Sequence, residues 1–182
     1  MKVLIVVDMQ KDFIDGALGT PEAAAIVDNV ARRIANSTGE LILFTQDTHG
    51  EDYLDTPEGK KLPVPHCIQG TAGWQIHPSI LDAWRSNPGT IKLPHPPQNT
   101  FTKPVFGSVD LVNFLKAREG EITAIEILGL CTDICVISNA IMIMNTLPSV
   151  PISLNANCCA GVTPQSHAEA VNVMRMCQVE VL

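Results

Sequence analysis

Short apolar runs recur along this chain, separated by stretches with helical spacing, and that alternation leaves few folds open. Four runs, residues 3–7, 41–45, 122–128 and 151–155, are rich in Val, Ile and Leu and show no clean period of two. A strand wetted on one face alternates, whereas a parallel strand covered on both faces does not. Residues 90–93 and 179–182 predict two further strands. Helical patterns lie between. Residues 21–36 follow Thr20, an N-cap with Pro21 at the first helical position. Val109, Val112, Phe114 and Leu115 mark a helix over 108–118, ended by Gly120. Residues 133–145 are apolar nearly all round, which predicts a central helix, and Thr163-Pro164 opens a last one running towards Cys177. Strand and helix in alternation give an α/β fold on a parallel sheet. Residues 50–73 break the rhythm with charge and proline, and a loop this long inside a domain is usually functional.

A length of 182 residues suits one domain, 1–182, with a sizeable core. The formal charge of −7, with no block of Lys or Arg, argues against nucleic acid as a partner. No apolar run approaches the ~20 residues that cross a bilayer, so no membrane partner is expected. Residues 1–8 superficially resemble a signal peptide, but the apolar stretch is short and meets Asp8 without a small-residue cleavage site. They read as a strand, in a cytoplasmic protein. The six cysteines (Cys67, Cys131, Cys135, Cys158, Cys159 and Cys177) read as reduced thiols, since a chain this long needs no disulfides. No glycine-rich nucleotide motif is present.

Ligands of open parallel sheets bind beyond the carboxyl ends of the strands. That rule selects Asp8 after the first run, Asp47 and His49 after the second, and Cys135 in the segment Gly129 to Val136 after the run 122–128. Lys103 reads as a loop residue away from a strand end, before a helix whose N-terminus can face the same side. Cys135 opens a helix, where unpaired N–H groups and the dipole are expected to lower a thiol pKa. A cysteine attacking an amide needs a base, a cation and oxyanion donors. Asp8 can be the base, Lys103 the cation, and the N–H groups of Cys131 and Cys135 the oxyanion hole. An aspartate after a first strand also serves commonly as a structural loop cap. Asp47, His49 and His66 offer one carboxylate and two imidazoles, suited to zinc, manganese or iron. D-x-H also arises by chance in turns. His77, His95 and His167 read as solvated histidines, Cys158 and Cys159 as a packed pair at a strand end, and Met142, Met144, Met174 and Met176 as core filler. Trp74 and Trp84 pack the helix after the long loop, with Trp74 near enough to His66 to line a pocket.

Together these pieces resemble the isochorismatase-like cysteine hydrolases, and within them the nicotinamidase branch. The matching segments are Val6-Val7-Asp8-Met9-Gln10-Lys11-Asp12-Phe13, Thr45-Gln46-Asp47-Thr48-His49, His66-Cys67-Ile68-Gln69-Gly70-Thr71, Lys103-Pro104-Val105-Phe106-Gly107-Ser108, and Gly129-Leu130-Cys131-Thr132-Asp133-Ile134-Cys135-Val136. Asn157-Cys158-Cys159-Ala160-Gly161-Val162 looks like a further family segment, with asparagine where aspartate is usual. The resemblance implies a three-layer α/β/α fold on a six-stranded, mostly parallel sheet, and a triad of Asp8, Lys103 and Cys135. It implies a cis peptide before Cys131, and a divalent metal, zinc first, on Asp47, His49 and His66, with Glu58 as a possible further ligand. The substrate implied is nicotinamide or a similar small amide, with its ring against Phe13 and Trp74, and the protein is expected to be a homo-oligomer. Pro63 stands where nicotinamidases usually carry tryptophan, so the wall of the ring pocket differs, and Trp74 or Tyr53 is the expected replacement. The competing readings are a relative cleaving a ureido or carbamoyl C–N bond, a non-catalytic ligand-binding protein on the same fold, and a thiol redox protein using Cys131 and Cys135.

Overall fold

The computed structural model describes residues 1–93 and 99–182, so His95 lies outside the described residues. Six parallel strands form one sheet in the order β3-β2-β1-β4-β5-β6: β1 Lys2–Val7, β2 Glu40–Asp47, β3 Thr100–Lys103, β4 Ala124–Leu130, β5 Ile152–Ala160 and β6 Glu180–Val181. Every residue of β1 after Lys2 is buried, so the apolar run is covered on both faces as its lack of alternation predicted.

The helices are α1 Lys11–Ile14, α2 Pro21–Ala35, α3 Pro57–Lys61, α4 Pro78–Ser86, α5 Val109–Lys116, α6 Ile137–Thr146 and α7 Pro164–Met176. Thr20 caps α2 by accepting the Ala23 N–H at 3.0 Å, and Thr163 caps α7 in a reciprocal box with Ser166. Both caps and both prolines sit where the sequence placed them. Helix α2 buries Ala23, Ile26, Val27, Val30 and Ile34, an i, i+3, i+4 stripe, and packs against α4 and β5.

Several expectations shift. Residues 90–93 form no strand: Ile91 makes a single bridge to Leu41, and the edge strand is β3 instead. Lys103 therefore ends a strand, paired with Asp47, rather than lying in a loop. The 108–118 helix stops at Lys116, before Gly120. The 133–145 helix begins as a wide turn over Thr132–Val136 and continues as α6, where Asn139, Ala140 and Ile143 are buried but Ile137, Ile141, Met142 and Met144 only partly so. Met176 is exposed, not core. The long loop contains α3, capped by Thr56. All six cysteines are free.

Candidate active site

The strand order places β1 beside both β2 and β4, so chain connections leave its carboxyl end in opposite directions and open a crevice there. Asp8 leaves β1 with φ 45°, a left-handed conformation that aspartate tolerates at a cost of about 1 kcal/mol. On the other side, Gly129 runs at φ 120°, and a Cβ there would stand 2.1 Å from the Val7 carbonyl oxygen. Only glycine lets the end of β4 close so tightly on β1, which brings the turn bearing Cys135 against Asp8.

Asp8, Lys103 and Cys135, far apart in sequence, meet in this crevice, and all three are buried. The Lys103 Nζ lies 2.6 Å from Asp8 Oδ2, 3.4 Å from Cys135 Sγ and 3.2 Å from Asp47 Oδ1. Asp8 Oδ1 accepts a 2.6 Å hydrogen bond from Thr45, while Oδ2 touches Lys103 without receiving a well-directed bond. Burial pushes the Asp8 carboxyl above the usual range, against the pull of Lys103. Burial alone would pull the lysine down, but Asp8, Cys135 and Asp47 outweigh it and hold the ammonium charged.

One sequence expectation is reversed. Burial, then the Asp8 carboxylate, push the Cys135 thiol up, well above its ordinary value, despite Lys103. The helix start is real, but desolvation of a buried sulfur is the larger effect. Lys103 Nζ touches both the sulfur and the Asp8 carboxylate, so one cation joins the thiol to its acceptor. Cys131, at the mouth of the same turn, follows a cis Leu130–Cys131 peptide, as the resemblance implies. Its thiol is pushed up to about 12 by burial and by Asp133.

Asp47, His49 and His66, all buried, converge so that their ligand atoms lie within 4.8 Å of one another. His49 Nε2 is 2.9 Å and His66 Nε2 3.6 Å from Asp47 Oδ2, and Glu58 Oε1 stands 4.0 Å from both nitrogens. Burial would raise the Asp47 carboxyl, but bonds from His49 and His66 and the Lys103 charge hold it well below the carboxylate range. Burial would lower His66, yet Asp47 outweighs it and raises the imidazole. The His66 Nδ1 bonds the Val64 carbonyl at 2.8 Å, which leaves Nε2 facing the cluster, the outer-shell arrangement of a metal-binding imidazole. Two nitrogens and one or two carboxylate oxygens fit a zinc, manganese or iron ion.

A cavity of about 240 Å³ opens on both groups, lined by Phe13, Leu18, Leu62, Phe106, Ile134 and Val162 around Cys131, Cys135, Asp47, Glu58 and His66. Phe13 is part of the cavity wall. Trp74 does not line the cavity, contrary to expectation. Its indole N–H is spent on Thr48 Oγ1 at 2.8 Å and its carbonyl on the amides of Gln10 and Gln46, which turn it behind β2. Tyr53 packs behind the histidines, its ring 4.7 Å from His49 and 4.9 Å from His66. The wall beside Pro63 is made by Leu62 instead.

Three supporting residues escaped the sequence reading. Gln10, wholly buried, accepts the Asp47 N–H at 2.7 Å and donates to its carbonyl at 2.8 Å, acting as a strand partner. Asp12 accepts the Cys67 N–H at 2.7 Å and so fixes the residue after His66. Asn139 holds the carbonyls of Phe106 and Cys135 and the Ser108 N–H. Each is a polar residue inside an apolar segment or a motif, and that mismatch was the available signal. His77 caps α4 from a partly exposed position, and His167 is half-buried against Thr132.

Comparison with known proteins places this geometry in a lineage. The profile of the Isochorismatase domain matches residues 2–182. A nicotinamidase/pyrazinamidase of Mycobacterium tuberculosis is 29% identical over 194 aligned positions, covering 100% of this chain and 98% of that one. The crystal structure of a nicotinamidase/pyrazinamidase from Bacillus subtilis superposes with a TM-score of 0.80 at 26% identity, covering 99% and 98% of the two chains. A pyrazinamidase of Pyrococcus horikoshii, crystallised in complex with zinc, shares the fold with a TM-score of 0.76 at 24% identity, covering 100% and 98%. This chain belongs to the isochorismatase family.

Proposed function

We propose that the chain is a metal-containing cysteine amidohydrolase of the nicotinamidase type, acting as one domain over 1–182 and releasing ammonia from nicotinamide or a similar small amide. The observation that carries this reading is one ammonium, Lys103, in contact with both a carboxylate and a thiol, the thiol lining an apolar cavity.

The chemistry follows from those groups. Asp8 takes the Cys135 proton as the sulfur attacks the carboxamide carbon. Lys103 offsets the negative charge that passes between carboxylate and sulfur. The N–H groups of Cys131 and Cys135 receive the oxyanion. Asp8 then gives its proton to the departing ammonia, leaving an acyl thioester on Cys135. Water, deprotonated by the same aspartate, hydrolyses the thioester, giving the acid and restoring the thiol. Phe13 and the aliphatic wall of Leu18, Leu62, Ile134 and Val162 hold the ring and keep out bulk water. A divalent ion, zinc first with manganese or iron as alternatives, would be held by Asp47, His49 and His66, and would supply a Lewis-acidic point for a ring nitrogen or an ordered water.

Among the described residues no arginine lines the cavity and no lysine with a free charge does, while Asp47 and Glu58 do. The wall is otherwise aliphatic and aromatic, which suits the ring of a small amide better than a polar ureido or carbamoyl chain. Retention of all three triad side chains in contact weighs against a non-catalytic binding protein. The reading includes a cytoplasmic location and a homo-oligomer, for which exposed Val105, Phe106 and Val109 supply apolar surface. Among the described residues no helix is long and apolar enough to cross a membrane. Ammonia release from nicotinamide by the purified protein, abolished in Cys135→Ala, is the test. Release from carbamoyl compounds but not from nicotinamide would replace this reading with its rival.

A further inference from the structure

Two consecutive side chains of the turn between Cys131 and Cys135 are gripped from outside it. Thr132, wholly buried, shares a 2.8 Å hydrogen bond between its Oγ1 and the Nδ1 of His167. Asp133 accepts the Val162 N–H on both carboxylate oxygens, at 3.2 Å each. Both partners belong to the start of α7, since Val162 precedes the Thr163 cap and His167 lies in the first turn. The segment has no slack, because a Cβ at Gly161 would stand 2.8 Å from the His167 nitrogen and 3.0 Å from its Cβ.

Thr132 Oγ1 has no second partner among the described residues, so its hydroxyl donates and the imidazole nitrogen accepts. Burial lowers the His167 pKa, against Asp133, which favours the neutral ring that such an acceptor requires. Nothing in the hydrolysis itself uses His167, which does not line the cavity.

We propose that His167 is a positioning residue of the reaction: through Thr132 it fixes the turn that carries the Cys131 and Cys135 N–H groups, so that both donors face the oxyanion. The inference rests on the amidohydrolase reading for its kinetic consequence, though not for its structural one. Small displacements of preorganised donors are expensive in the transition state and cheap in substrate binding, so the effect falls on kcat rather than KM.

The experiment compares His167→Leu, His167→Asn, Thr132→Val and the Leu/Val double variant with the wild-type holoenzyme. His167→Leu should lower kcat roughly tenfold, well short of outright loss of a donor, with KM changed less than about twofold. His167→Asn, whose side-chain amide oxygen reaches the place of Nδ1, should restore most of the rate. Thr132→Val should match His167→Leu, and the double variant should be no slower than the worse single, because one bond is lost in each. Full rate in His167→Leu, a change in KM alone, or an additive double variant would overturn the proposal. Amide hydrogen exchange over residues 131–136 reads the same grip without substrate. It should quicken in His167→Leu and return in His167→Asn. Quickened exchange in a protein that releases ammonia from neither nicotinamide nor other small amides would sink the amidohydrolase reading and leave the grip standing. Unchanged exchange would sink the grip whatever the activity.

Discussion

The sheet carries two charge clusters of the same formal composition, one cation between two carboxylates, at opposite ends of its strands. At the carboxyl ends, Lys103 lies between Asp8 and Asp47. Towards the amino ends, Arg33 of α2 bonds Glu40 of β2 at 2.8 and 2.9 Å and Glu126 of β4 at 2.7 and 3.0 Å, with Ser37 and Asn155 satisfying further atoms. The guanidinium fork fits two carboxylates at once and leaves no acceptor idle, so this cluster is a clamp from helix to sheet. Burial would raise the Glu40 carboxyl, but the bonds from Arg33 and Ser37 win and hold it below the usual range. The lysine cluster does the reverse. It is more deeply buried, its cation is a point charge shared with a sulfur, and Asp8 keeps one oxygen without a directed bond. A carboxylate held up rather than down is a carboxylate ready to take a proton. Equal charge counts thus produce a fastener in one place and a proton acceptor in the other, and the difference lies in hydrogen-bond geometry and burial.

The sharpest way to break this comparison is to exchange the cations. Lys103→Arg keeps the charge but forces a planar fork into a space shaped for an ammonium touching a thiol. We expect kcat for amide hydrolysis to fall by about 10³-fold while the circular dichroism spectrum is retained, since positioned electrostatics carry rate terms of that order. A variant with near-normal kcat would mean that charge alone, not its placement, matters there. Next in size is Arg33→Met, which strands two carboxylates. Urea unfolding should show a loss of about 2–3 kcal/mol, below the figure for a fully buried pair because the cluster is partly exposed. Its kcat should stay within about twofold of wild type, and a large kinetic loss would show that the clamp is coupled to the site.

Much of this was readable in the chain, and the failures share a cause. Strands β1, β2 and β4 announce themselves as apolar runs, and α2 and α7 by Thr-Pro caps, because those signals are local. Strand β3 is four residues, Thr-Phe-Thr-Lys, with no apolar run, and it exists because β2 offers it an edge in register from Phe44 to Asp47. The sequence reading ended β5 early, at Asn155, because polar residues follow; the strand continues to Ala160 past a register shift opposite 127–129. Asp8, Asp47, His49 and Cys135 were identifiable because strand ends in a parallel sheet select positions; Lys103 and His66 lie outside that rule and stood out by residue type and by the family resemblance. Their protonation was not, since the state of Cys135 depends on how completely neighbours exclude water, which no spacing encodes. Trp74 misled for the same reason: proximity to His66 in sequence says nothing of which carbonyl or hydroxyl its indole meets. Gln10, Asp12 and His167 act through partners 37, 55 and 35 residues away.

The smallest expected effect separates the clusters by sign. Glu40 has a folded pKa below its unfolded one, so its stabilisation is complete above the ordinary glutamate range and drains away as pH falls through the lower, folded value. Asp8 has a folded pKa above its unfolded one, so its ionisation weighs against the fold as pH rises through the aspartate range, and acid relieves it. Thermal melts from neutral pH into the acid range should therefore show the wild type's advantage over Glu40→Gln, about 1–2 kcal/mol at neutrality, shrinking with acid. The balance between wild type and Asp8→Asn should move the opposite way, the wild type gaining on the variant as pH falls. If both differences shrank together, the two carboxylates would be alike, and the proton-acceptor role of Asp8 would lose its electrostatic basis.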